Sequence, residues 1–237
     1  MEIIQIEKKL IQTFDSLFKT YELSTNIAEE GLGIALIKKN TDVLFNIRGF
    51  INFKNLSYSS FTAGFTISSI EDTIQPILIK FLGRGLYQPE FSNTLSIRRF
   101  DKNYYEQTKI PQINKEIKSD KDILNLLKEL KKYTEEIAEP FFYKWSDLRA
   151  INDFFDIIPQ KEVGQYFGLG ASLKKALVYK LCKNPNFENY FEKLYGYYTK
   201  RYIANPNGDE SLKKWNDAVI ELKEILNKIE PIYNLEV

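Results

Sequence analysis

The hydrophobic period changes twice along this chain, and that limits the folds open to it. Residues 3–21 place Ile3, Ile6, Leu10, Phe14, Leu17 and Tyr21 at spacings of three and four, with Ile11 and Phe18 widening the stripe, which predicts an amphipathic helix. From Gly31 to Ser69 the period drops to two. Leu32, Ile34 and Leu36 share one face of a strand; Val43, Phe45, Ile47, Gly49, Ile51 and Phe53 share one face of the next; Phe61, Ala63, Phe65 and Ile67 repeat the pattern. Short connections between the three, with Asn40-Thr41 as a turn, predict an antiparallel meander with one buried face.

Helical spacing then returns. Ile74, Ile77, Leu78 and Phe81 form a stripe, and Pro76 fits a helix only in its first turn, so a start near Thr73 and a stop at Gly83 are expected. "NTLSIRRF" at 93–100 reads as a fourth strand, with Leu95 and Ile97 on one face and Ser96 and Arg98 on the other. From residue 119 onward the pattern is helical, opening on a capping box with Ser119 as N-cap and Asp122 in the third position. The expected fold class is α+β: an N-terminal helix on an antiparallel sheet of about four strands, followed by an all-helical C-terminal half. Two subdomains are expected, 1–110 and 119–237, packed as one unit and divided by the loop around 102–118.

The chain has 237 residues, no histidine and one cysteine, Cys182. Histidine-based triads, histidine-ligated zinc and cysteine-built zinc sites are excluded, as is an intrachain disulfide. Asp147, Asp153 and Asp156 are candidate metal ligands, with Asp153 and Asp156 three apart on one helix edge, but they read as ordinary surface charge, so neither metal nor cofactor is expected. The N-terminus is charged and amphipathic, and no apolar run reaches the ~20 residues of a membrane helix, so a cytoplasmic protein without a membrane partner is expected. A formal net charge of +1 speaks against general polyanion binding.

The segment "YFEKLYGYYTKRY" (190–202) mixes aromatic and basic residues as a nucleic-acid platform would. On a helix, however, Phe187, Tyr190, Phe191, Leu194, Tyr198 and Tyr202 collect on one side, with Tyr197 clearly off the stripe and Tyr195 at its margin. That phase predicts a core face containing Phe191, Leu194 and Tyr198, and nucleic acid is not the expected partner. "IRGFINFKN" opens with the Arg-Gly-Phe of an RNA-recognition strand, then departs at Ile51, Asn52 and Asn55. "GLGASLKK" opens a helix and nominates Gly168, Gly170 and Lys174 as an anion-binding loop, although it lacks a third glycine and a preceding strand. Leu212, Trp215, Val219, Leu222, Leu226 and Ile229 make a short heptad seam, packed on the chain's own helices or, alternatively, forming a homodimer through 210–229.

The best candidate surface is the polar face of the sheet. In simple register, Asn46, Arg48, Asn52, Thr62, Thr66, Ser68, Ser96 and Arg98 point one way. Arg48 and Arg98, with Asn46, Asn52 and Thr66, would hold a carboxylate, a phosphate or an acidic protein, because a planar guanidinium grips such groups bidentately. In its layout, an N-terminal helix, a meander and a helical second half, the chain resembles bacterial α+β proteins of unknown function found beside toxin, immunity or defence genes. That resemblance implies a non-catalytic interaction protein with a protein partner. The alternatives are a phosphate- or nucleotide-binding regulator or enzyme using Arg48, Arg98 or the 168–170 loop, and an RNA- or DNA-binding protein.

Overall fold

The structure is a computed structural model and describes residues 2–83, 85, 87, 93–100, 115–206 and 210–233. The loop at 102–118 lies mostly outside these residues, as does much of the connection at 84–92. The fold is α+β: an N-terminal helix, an antiparallel sheet and a helical C-terminal half. Among the described residues no helix is long and apolar enough to cross a membrane.

The chain clusters into two compact units, each assembled from two segments. The first comprises Met1–Thr66 with Pro89–Lys144, the second Ile67–Gln88 with Trp145–Val237.

In the first unit, α1 (Ile3–Leu17) opens with a capping box between Glu2 and Gln5 and buries Ile6, Leu10 and Phe14. The strands that follow are β1 (Glu22–Ala28), β2 (Gly31–Lys39), β3 (Val43–Asn52) and β4 (Ser57–Ile67), side by side in chain order. Register runs Glu22 to Ile37 and Ala28 to Gly31, then Gly31 to Asn52 and Lys39 to Leu44. β1 is absent from the expected meander. It is an edge strand with only half-buried or exposed residues, so it carries no apolar alternation. The expected inner face holds, with Leu32, Leu36, Ile47, Ile51 and Phe65 fully buried.

The expected fourth strand is corrected. Only β5 (Leu95–Ser96) pairs, opposite Phe65 and Gly64; the chain then turns into α3 (Ile97–Phe100), which carries Arg98. A two-residue strand, β6 (Lys115–Glu116), pairs with Tyr58 and Ser57 at the other end of β4. The capping box at Ser119 and Asp122 forms as expected and opens α4 (Asp120–Tyr133), which packs on α1. A π-helical turn at Thr134–Ala138 carries the chain past Pro140 into α5 (Glu139–Trp145). Phe45, Phe65, Phe141 and Phe142 form one aromatic cluster, with ring centroids 4.8–6.4 Å apart.

The second unit begins with α2 (Ser68–Leu82). It starts five residues before the expected Thr73, leaving Pro76 in its interior. The lost backbone hydrogen bond is outweighed by complete burial of Ile70, Ile74, Ile77 and Leu78 along one stripe. Gly83, at φ 63°, stops the helix as expected. The later helices are α6 (Leu148–Ile157), α7 (Val163–Phe167), α8 (Ala171–Leu181), α9 (Phe187–Ala204) and α10 (Glu210–Leu226). The hub is α8, which touches α2, α6, α7, α9 and α10 and is buried almost all round.

Candidate functional site

The hub position of α8 decides the fate of its lysines. Lys174 is 2% exposed, and its ammonium donates to Glu71 Oε1 at 2.5 Å. Glu71 accepts a second hydrogen bond from the Gln75 amide, one turn along α2. Lys174 is therefore committed to an internal ion pair and is not presented at the glycine loop. Gly170 (φ 75°) takes the left-handed entry to α8, and a Cβ there would stand 2.9 Å from a Leu78 methyl, so packing and backbone both explain it.

Lys175 is buried as well. It donates to the Phe155 carbonyl, in the last turn of α6, at 2.6 Å, and lies 5.2–5.7 Å from the ring centroids of Phe155, Tyr179 and Tyr190. Burial pushes its pKa down. The three aspartates Asp147, Asp153 and Asp156 have separate structural duties. Asp147 caps α6 and pairs with Arg149; Asp156 accepts from Tyr179 and Asn184; Asp153 accepts from Asn152. Among the described residues no group of histidine, cysteine, aspartate or glutamate has metal-site geometry. Burial raises the Cys182 pKa to about 12, which keeps it a thiol.

The sheet-face candidates part company. Asn46 is 1% exposed and donates to Asn93 Oδ1 at 2.8 Å, with the Asn93 side chain laid over Gly64, where a Cβ would clash at 2.5 Å. Thr66 is fully buried. Asn52 accepts from the Lys54 amide and shapes the turn after β3. Arg48 is half-buried, with its pKa lowered by burial, whereas Arg98 is exposed on α3 and off the sheet. The face is thus not a continuous polar surface open to solvent.

The long helix α9 departs most from its expected role. Of its 18 residues only Phe191 is buried, while Leu194 and Tyr198, expected in the core, are half-buried. The helix packs along one side only, on α8 and α10. The aromatic stripe is wider than that contact, so its rings lie along the seam: Tyr190 edge-on to Tyr179, and Tyr198 stacked on Trp215 at 5.5 Å and 12°. The seam of α10 is used within this unit too, with Val219, Leu222 and Leu226 buried.

The outer face of α9 carries Asn189, Lys193, Gly196, Tyr197, Lys200 and Arg201, recurring at helical spacing and lining an open groove of about 590 Å³ together with Glu192. A second hollow of about 450 Å³ adjoins it, sharing Lys193 and Tyr197 and lined further by Gln160, Ser172, Tyr190, Leu194 and Tyr198. Tyr197 is 52% exposed, with the Tyr198 ring edge-on to it at 5.0 Å and the Arg201 guanidinium 4.9 Å from its centroid. Lys193 and Lys200 are exposed and make no ion pair among the described residues. A Cβ at Gly196 would meet no neighbouring group within 4 Å. The sequence held a signal for this face: a glycine inside a helix costs about 1 kcal/mol relative to alanine, and no packing need explains it here.

No protein-family model, curated protein or solved structure matches this chain.

Proposed function

We propose that this protein is a binding protein rather than a catalyst, and that it recognises its partner with the outer face of α9. The observation that carries this reading is an 18-residue helix with one buried residue, whose open side combines two lysines that make no ion pair among the described residues, an exposed tyrosine held by its neighbours, and a glycine that packing does not require. Exposed aromatic and cationic groups gathered on one groove are characteristic of recognition surfaces. The groups with ordinary catalytic potential in this unit, Lys175, Asp156 and Cys182, are tied into internal contacts instead.

The test compares immobilised wild-type protein with a Lys193→Glu, Lys200→Glu variant. Both are exposed to the same cell extract, and retained protein and nucleic acid are quantified. The reading expects retained material that is selectively lost from the variant. Equal retention by the two would remove α9 as the recognition surface.

A further inference from the structure

We infer that the α9 groove takes single-stranded nucleic acid, with backbone phosphates on Lys193 and Lys200 and a base against Tyr197; this rests on the α9 reading above. The groove lining holds Lys193, Lys200 and Arg201 against one carboxylate, Glu192, so it is locally cationic although the chain as a whole is nearly neutral. From Lys193 to Arg201 the helix rises about 12 Å at 1.5 Å per residue, so these cations follow one extended line of phosphates.

Tyr197 is half-exposed, yet it is oriented before any ligand arrives: Tyr198 meets it at 88° and is itself stacked on Trp215. A base needs such a fixed aromatic plane, and every base offers a face to stack, so affinity without sequence preference is expected. A duplex keeps its base faces covered, which favours the single strand. Gly196 leaves a notch between Lys193 and Lys200 where a sugar–phosphate backbone approaches the helix closely. An acidic peptide would satisfy the lysines but would make no use of the oriented ring, and Leu194 is the sole aliphatic residue lining the two hollows.

Fluorescence anisotropy of the full-length protein tests this. The probes are end-labelled oligothymidylate and oligouridylate, a duplex of equal length, and an oligoglutamate peptide, each titrated at several salt concentrations. Single strands should bind at least about 10-fold more tightly than the duplex or the peptide. Lys193→Gln with Lys200→Gln should flatten the log–log salt dependence by about 1.4, because each phosphate that is no longer neutralised on a single strand removes roughly 0.7 from the slope. Tyr197→Ala should weaken binding by roughly 5- to 150-fold, the range for removing the ring beneath one stacked base. All three residues are exposed, so thermal melting should be unchanged, and Lys8→Gln on α1 should leave binding as it is. Oligoglutamate binding that matches oligothymidylate, depending on the lysines but not on Tyr197, would overturn the nucleic-acid assignment and leave the binding surface standing. Binding of single strands indifferent to every α9 variant would overturn the site. No binding of any probe would overturn the occupant, and the extract comparison then decides separately whether the surface itself stands.

Discussion

The Lys174 ammonium lies 2.5 Å from a carboxylate oxygen of Glu71, and both side chains are closed off from solvent, at 2% and 0% exposure. Two charges taken out of water stabilise a fold only while each has the other. Lys174→Met leaves the Glu71 carboxylate buried without its cation and should cost about 3–5 kcal/mol in urea unfolding. Adding Glu71→Gln should restore most of that loss, because the uncompensated charge goes with it. A single variant within about 0.5 kcal/mol of wild type would mean that the pair is not closed off from water.

The stability of this protein should fall from about pH 9 upward, most steeply above about pH 10. An unfolded tyrosine titrates near 10.0; burial, followed by a neighbouring carboxylate, raises Tyr21, Tyr58 and Tyr179 well above that value. Burial raises Tyr190 to about 12. A group whose folded pKa is raised contributes stability that is complete below the unfolded pKa and disappears as pH passes through the folded one. Cys182, moved from 9.0 to about 12, acts in the same direction. Lys175 acts oppositely, since burial lowers its pKa and the cost of its charge lifts as pH rises toward 10.5. Burial also raises Tyr198, which adds to the loss, and lowers Arg48, which opposes it, so five tyrosines and a cysteine stand against one lysine and one arginine and outweigh them. Urea midpoints followed from about pH 8 to about pH 12, with tyrosinate absorbance as a second readout, should therefore decline together with tyrosine ionisation. A midpoint that rises through this window would reverse the balance assigned here.

The sequence spoke clearly wherever burial on one face imposed a period. β2, β3 and β4 alternate because Leu32, Leu36, Ile47, Ile51 and Phe65 face one core. β1 stayed hidden because an edge strand reading Glu-Leu-Ser-Thr-Asn-Ile-Ala buries too little to alternate. Residues 97–100 misled in the opposite way, since Leu95 and Ile97 alternate whether or not a strand continues past Ser96. Lys174 reads as a solvated lysine because its carboxylate lies 103 residues away, and no local pattern encodes a contact of that range. In α9 the period identified the contact side correctly but not its width, so Phe191 is interior while Leu194 and Tyr198 sit at the edge.

That difference in depth should be measurable. Phe191→Ala removes a buried ring stacked on Phe187 and tilted against Tyr195 and should cost about 3–5 kcal/mol by cavity formation. Tyr198→Ala removes a half-buried ring and should cost about 1–2 kcal/mol on area grounds, together with a change in Trp215 fluorescence as its stacking partner leaves. Urea unfolding of the two variants settles the order, and equal losses would mean that α9 is buried more evenly than its exposures indicate.

Two glycines of the second unit should respond to alanine with opposite signs. Gly170 holds φ at 75°, and a Cβ there would sit 2.9 Å and 3.0 Å from the two Leu78 methyls, so Gly170→Ala combines backbone strain with a clash against α2 and should cost about 1–3 kcal/mol. Gly196 lies in the middle of α9 with open space where its Cβ would be, so Gly196→Ala should stabilise the protein by about 0.5–1 kcal/mol through helix propensity alone. The added methyl also fills the notch between Lys193 and Lys200. If the groove is used as inferred, Gly196→Ala raises the melting temperature and weakens oligothymidylate binding in the same preparation, a trade of function for stability at one atom. A variant that is more stable and binds equally well would show that the notch is not part of the binding surface. One that is less stable would show that the helix needs the glycine for a contact that its open surroundings do not reveal.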